Sequence, residues 1–327
     1  MKCRVVLLAA FAVLVTAAFF TSRSQAEPNQ VKYIAPGVWF REGDLADQGH
    51  CNNIFIEMKD YMIVVDANFP SGARIALSEV KRLTDKPVKY VFDTHHHGDH
   101  AYGNPIWTEA GATTLAYVGV AEEMQRFEPA RWVAAAKERK DVADLKRAAP
   151  EPPKQTFDKS PFVLKDGTRE VRFYHFGWAH TRGDGFVFLP KEKILCTGDA
   201  AVNGPYNATG DANIGNWPKV LRTAVGLGAE VILPGHGPTG GKEVLDGQIA
   251  FLNELTRTVQ AAVADGKKLD QLISPETATV YGNVVPAKTI LQMPKSVKNW
   301  TGGFLAAQVK DTWEEITYKK PHGELAH

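Results

Sequence analysis

Short apolar runs alternate with amphipathic stretches along most of the chain, and the alternation predicts strands and helices in turn. Val38-Trp39-Phe40, Asn53 to Met58 and Tyr61 to Val65 are rich in β-branched and aromatic residues. Gly43-Asp44 and Lys59-Asp60 separate them, so they read as successive strands. Within Ala73 to Leu83, the residues Ile75, Leu77, Val80 and Leu83 fall at helical spacing. Val88 to Phe92 is a brief apolar run of the buried-strand kind, and it ends on Asp93-Thr94. Residues 119–148 predict two helices interrupted near Pro129, and Pro150 to Pro153 a connector. Strands return at Phe162-Leu164, Val171-Phe176, Gly185-Leu189 and Ile194-Cys196. A helix over Asn216 to Leu227, a strand over Glu230 to Leu233, an amphipathic helix over Lys242 to Ala264 and a helix over residues 303–317 follow. The order predicts two similar halves, each of strands then helices, in one layered domain.

The N-terminus breaks this pattern. Lys2 and Arg4 precede a 16-residue run from Val5 to Phe20 interrupted only by Thr16, and Ser24-Gln25-Ala26 follows as a small-x-small site. This predicts a signal peptide over residues 1–26 and a periplasmic or secreted single domain over 27–327 with C-terminal helices. The run is short for a bilayer span, so no stable membrane association is expected after cleavage. With 327 residues, 44% of them apolar, the chain is long enough for a large core. Removing residues 1–26 takes away three basic residues and no acidic one, leaving 35 against 37 and a net charge of −2. That balance excludes a nucleic-acid partner and leaves a small-molecule substrate. Cys51 and Cys196 remain, too few for a disulfide framework or a cysteine-based zinc knuckle, and are expected to be packing residues.

Histidine placement changes the picture most. The chain has ten histidines, and four stand in the six-residue stretch His95-His96-His97-Gly98-Asp99-His100. Alternate residues leaving a strand face the same way, so His95 and His97 point together while His96 points away. A turn at Gly98 brings Asp99 and His100 to a second point nearby. Imidazole nitrogen and carboxylate oxygen are ordinary zinc ligands. Three further segments repeat the plan of strand, glycine-containing loop and polar ligand. They are Ala179-His180-Thr181-Arg182-Gly183-Asp184, Cys196-Thr197-Gly198-Asp199 and Pro234-Gly235-His236-Gly237. Binding sites in α/β folds are commonly built at such strand ends.

HHHGDH at 95–100, AHTRGD at 179–184, CTGDA at 196–200 and PGHG at 234–237 together resemble the metallo-β-lactamase fold superfamily. The resemblance implies an α/β fold, an αββα four-layer sandwich with a dinuclear metal site at one edge. Carried over by position, His95, His97 and His180 would hold one ion; Asp99, His100 and His236 the other; Asp199 would bridge. The implied cofactor is two Zn2+ per chain, with manganese or iron as alternatives, and the implied activity is zinc-dependent hydrolysis by a metal-bound hydroxide. Asp99 would be the catalytic residue, orienting that hydroxide and taking part in proton transfer. Asp184 is expected to support a ligand histidine, and the Gly- and Asn-rich residues 201–217 to overhang the metals, with Tyr206, Asn207 and Trp217 contacting substrate.

The expected substrate carries an ester, lactone, amide or related bond. The alternative is a β-lactam, against which stand Asp199 where the familiar exported lactamases have cysteine and Val202 where they have a carboxylate-gripping lysine. A reading from another class, a periplasmic diiron redox or zinc-binding protein, is disfavoured by His97, since the diiron relatives carry glutamate there.

Overall fold

The computed structural model describes residues 28–325, so the expected signal peptide lies outside the described residues. Among those residues, the strands form two large sheets and a small hairpin. The first sheet runs β1 (Val31–Ala35), β2 (Val38–Arg41), β3 (Asn53–Glu57), β4 (Met62–Val65), β5 (Val88–Phe92), β6 (Thr113–Tyr117) and β7 (Gln155–Phe157) in that spatial order. Its first four strands pair antiparallel and the rest parallel. The second contains β8 (Phe162–Lys165), β9 (Glu170–His175), β10 (Gly185–Leu189), β11 (Ile194–Gly198) and β12 (Val231–Pro234), ordered β12-β11-β10-β9-β8. Only β11 and β12 pair parallel there. The hairpin is β13 (Thr277–Val280) with β14 (Asn283–Pro286).

The period-two pattern explains the layering. Val38, Phe40, Ile54, Ile56, Ile63 and Val65 alternate onto one face of the first sheet and meet Val171, Phe173, Val187, Leu189 and Cys196 of the second. The outward-facing set Phe55, Met62, Val64 and Val91 packs on Ala73, Ala76 and Val80 of the helix Pro70–Leu83. Phe186, Leu195 and Ile232 pack instead on Trp217 and Leu221 of the helix Trp217–Val225 and on Phe251 and Leu252 of the helix Glu243–Ala264. β10 and β11 are buried throughout, as strands covered on both faces must be, and their sequences are almost wholly apolar. The result is the expected helix–sheet–sheet–helix sandwich.

Residues 118–138 correct the sequence reading. They form one helix, Val118–Glu138, that continues through Pro129. The break falls at Arg139, whose φ of −116° and ψ of 112° are extended, before the short helix Lys140–Ala143. Proline forfeits one helical hydrogen bond, but Met124, Phe127 and Trp132 on either side are buried and hold the helix together. Cys51 and Cys196 are both free and buried, as packing residues are. Among the described residues, no helix is long and apolar enough to cross a membrane.

Candidate metal centre

All four polar loops open at one edge of the sandwich, because their strands end there. β5 delivers His95 and His97, and the short helix Gly98–Ala101 turns Asp99 and His100 after them. The β9–β10 loop supplies His180, the end of β11 supplies Asp199, and the end of β12 supplies His236. Since β11 and β12 are parallel neighbours, their terminal loops lie side by side. Glycine makes that approach feasible: a Cβ at Gly235 would overlap Asp199 Oδ1, and one at Gly198, whose φ is +49°, would overlap Thr94.

The rings of His95, His97 and His180 stand 4.7–4.8 Å apart, centre to centre. Beside them, His236 Nε2 lies 3.0 Å from Asp99 Oδ2 and 3.4 Å from Asp199 Oδ2. His100 Nε2 lies 3.4 Å from both Asp99 Oδ2 and Asp199 Oδ1, and 3.3 Å from His236 Nε2. Donor atoms of three sets fall within 4.8 Å of one another: His95, His97 and His180; Asp99, His100 and His236; and His95, His100 and Asp199. Asp199 thus sits where the two triads meet.

A surrounding layer fixes the rings. Thr94 Oγ1 lies 3.0 Å from His95 Nδ1 and donates to Asp66 Oδ1 at 2.8 Å, while Asp66 Oδ2 stands 2.9 Å from His100 Nδ1. His97 Nε2 is 2.7 Å from Asp211 Oδ2. Partners of this kind set which ring nitrogen is left with a lone pair. Asp184 accepts from the Thr181 amide at 2.9 Å and hydroxyl at 2.7 Å, and its Oδ1 is 3.8 Å from His180 Nδ1, so it mainly shapes the histidine's loop. His96 turns away, with Nε2 3.3 Å from Asp211 Oδ2 and 3.6 Å from Glu128.

The three expected substrate contacts divide. Tyr206 stands at the rim, its ring 6.4 Å from that of His236 and 6.0 Å from Tyr281. Asn207 and Trp217 are correctives to the sequence reading. Asn207 is buried and donates to the Asp199 carbonyl at 2.8 Å; Trp217 is fully buried and donates to the Ala200 carbonyl at 2.7 Å. Asn207 spends its amide nitrogen and Trp217 its indole nitrogen on the loop's own backbone, and the two build its floor. Asp66, Thr94, Asp211 and Arg131 escaped the sequence reading. Only Asp211 carried a signal, as the single charged residue within 201–217.

The electrostatics differ from ring to ring. Burial, with His100, His97 and His180 nearby, holds His95 well below the usual imidazole range, and burial with His97 pushes His180 down to about 3. His95 and His180 therefore offer neutral lone pairs, whereas at His97 burial is outweighed by the hydrogen bond and charge of Asp211, which raise it above the ordinary imidazole value. Burial also opposes protonation of His236, but Asp199 and Asp99 outweigh it and raise it to about 9. Burial would raise Asp99, yet His100 and His236 hold it well below the usual carboxylate range. Buried His95 Nε2 and Asp199 Oδ1 have no hydrogen-bond partner among the described residues. An orphaned buried donor or acceptor costs about 1–3 kcal/mol. A cation coordinated by these atoms would remove that cost, so the residues fit divalent metal.

An αββα sandwich with seven imidazole and carboxylate donors gathered at one edge defines a class of metal-site proteins. The chain belongs to the metallo-beta-lactamase superfamily, whose family model matches residues 46–236. Over 107 residues it is 30% identical to the metallo-beta-lactamase type 2 of Bacteroides fragilis, covering 31% of this chain and 43% of that protein. Less than half the length of that curated relative is therefore matched. In fold it is similar to a metallo-beta-lactamase from Pontibacter korlensis (TM-score 0.54, 22% identity, 68% of this chain and 98% of the other). It is also similar to the metallo-beta-lactamase FIM-1 from Pseudomonas aeruginosa in its mono-zinc form (TM-score 0.54, 21% identity, 70% and 96%).

Proposed function

We propose that the chain is an exported metal-dependent hydrolase that cleaves an ester, lactone, amide or related bond of a small molecule. The observation that carries the reading is the convergence of seven donors from four strand ends, two of them presenting buried atoms with no hydrogen-bond partner among the described residues. His95, His97 and His180 would hold one divalent ion, and Asp99, His100 and His236 the other, with Asp199 between them. Zinc is the favoured metal, with manganese or iron as alternatives. Bound there, divalent ions supply acidified water at neutral pH and polarise a carbonyl oxygen.

The chain's own part rests on Asp99. Its side chain is 22% exposed against 8% for Asp199, so it is the carboxylate that faces an entering substrate. Held ionised by His100 and His236, its carboxylate would take the proton that the attacking water gives up and pass it to the leaving group. Tyr206 at the rim supplies an aromatic face to the substrate's remote part. The names of the Bacteroides relative and the fold neighbours favour a β-lactam substrate. Val202 weighs against it, since it is fully buried and presents no cation to a substrate carboxylate.

Purified protein supplied with zinc is assayed against a chromogenic cephalosporin, a lactone, an aryl phosphodiester, an aryl sulfate and a thioester. Turnover of at least one substrate, abolished by exhaustive chelation and restored by zinc, is expected. Turnover that survives chelation, or none on any substrate, overturns the reading. Bound iron that changes its visible spectrum on reduction, with no turnover of any substrate, would favour the redox alternative.

A further inference from the structure

We propose that Asp211, clamped by Arg131, is a positioning residue for His97 and governs how tightly the three-histidine group holds a cation. The inference rests on the metal-centre reading above and adds a determinant outside the seven donors. His97 is the histidine of its triad that most needs external support: its side chain is 22% exposed, against 2% for His180, while His95 is fully buried. Packing fixes the latter two; His97 has one open side. Asp211 closes it, with Oδ2 2.7 Å from His97 Nε2, while its own side chain is only 4% exposed. A carboxylate on Nε2 keeps the proton on that nitrogen and leaves Nδ1 with the lone pair.

Asp211 is itself held by a fork. Arg131, on the helix Val118–Glu138, places Nη1 2.7 Å from Oδ2 and Nη2 2.8 Å from Oδ1. Arg131 Nη1 also donates to Glu128 Oε1 at 3.0 Å. His96, His97 and Asp211 alone have the spacing of a further metal site. The guanidinium already occupies the cation's place against Asp211, so this cluster is a clamp. The backbone around Asp211 is pinned as well: Trp178 Nε1 donates to its carbonyl at 2.8 Å, and His322 Nδ1 lies 2.8 Å from the Gly210 carbonyl. His322 lies beyond the family-matched residues, so the C-terminal part of the chain takes a share in orienting a candidate ligand.

The test is competition for zinc against a chromophoric chelator, run on the full chain as wild type, Asp211→Asn, Arg131→Lys, His180→Ala and Asp211→Asn/His180→Ala. The wild type is expected to bind two equivalents. In D211N one equivalent weakens by about 10- to 100-fold, the scale for losing a ligand's outer partner. R131K weakens the same equivalent by less, since one ammonium cannot hold both oxygens. H180A abolishes that equivalent, and adding D211N to it changes nothing further. A wild type that binds no zinc overturns the metal-centre reading and this proposal together. A zinc-binding wild type with both D211N and R131K at wild-type affinity overturns the clamp alone. So does a loss in D211N shared equally by both equivalents, which is what a merely structural role would give. If D211N does not fold, R131K decides by itself, and wild-type affinity there overturns the clamp.

Discussion

Thr94 is the smallest side chain in the layer around the donors, and removing its hydroxyl is the cleanest test of that layer. It is 1% exposed, and its Oγ1 touches Asp66 Oδ1 at 2.8 Å and His95 Nδ1 at 3.0 Å. Thr94→Val keeps the volume and opens no cavity, but sets a methyl against two polar atoms. Asp66 Oδ1 then retains only the Thr94 amide, at 2.9 Å. His95 Nδ1 loses its only hydrogen-bond partner among the described residues. A lost hydrogen bond to a charged group is worth about 1.5–3 kcal/mol, and a stranded buried atom about 1–3 kcal/mol. Allowing for partial relaxation, we expect Thr94→Val to lower the stability of the metal-free protein by about 2–4 kcal/mol in urea unfolding. Thr94→Ser keeps both contacts and gives up one methyl, for about 1 kcal/mol. A valine variant as stable as the serine variant would refute the account of how His95 is held.

Three other outcomes are expected. Asp99→Asn removes the proton acceptor while leaving an oxygen donor in place, so hydrolysis collapses and most metal stays bound, as turnover and metal content on one preparation will show. Zinc binding near pH 7 releases protons: His236, raised to about 9, is protonated in the metal-free protein and must surrender that proton to become a ligand. Apparent zinc affinity therefore rises with pH between about 6 and 9, and calorimetry in two buffers of different ionisation enthalpy detects the released protons. Burial pushes the Cys51 thiol up to about 12 and Cys196 higher still, so neither reacts with a disulfide reagent at about pH 8 until urea is added.

Much of the layering was legible because it is written in short-range pattern. β-Branched and aromatic runs between turn residues marked β2 to β4, and the glycine-bearing loops marked each donor's position. β6 went unread because Leu115 is the one large aliphatic in Thr113–Tyr117, and β7 because it spans three residues. The β13–β14 hairpin hid behind its turn, where Tyr281 and Gly282 both take positive φ, 46° and 81°. Asparagine or aspartate at the first of these would have announced it. Pro129 misled because proline's penalty is local while the burial that overrides it is tertiary. Within the site, donors were readable from chemistry and spacing. Asp66 and Arg131 were not, and the lone charge of Asp211 in its loop gave no partner, since nothing in the sequence says which carboxylate will fold against which imidazole.

The seven donors divide four to three between the two sheets, and neither sheet carries a complete set for both ions. A metal pair would therefore act as a rivet through the seam of the sandwich. Prying the halves apart, by heat or by a mutation far from the cleft, would release the ions, and stripping the ions would loosen the seam. Chemistry and cohesion in this protein would then rise and fall together.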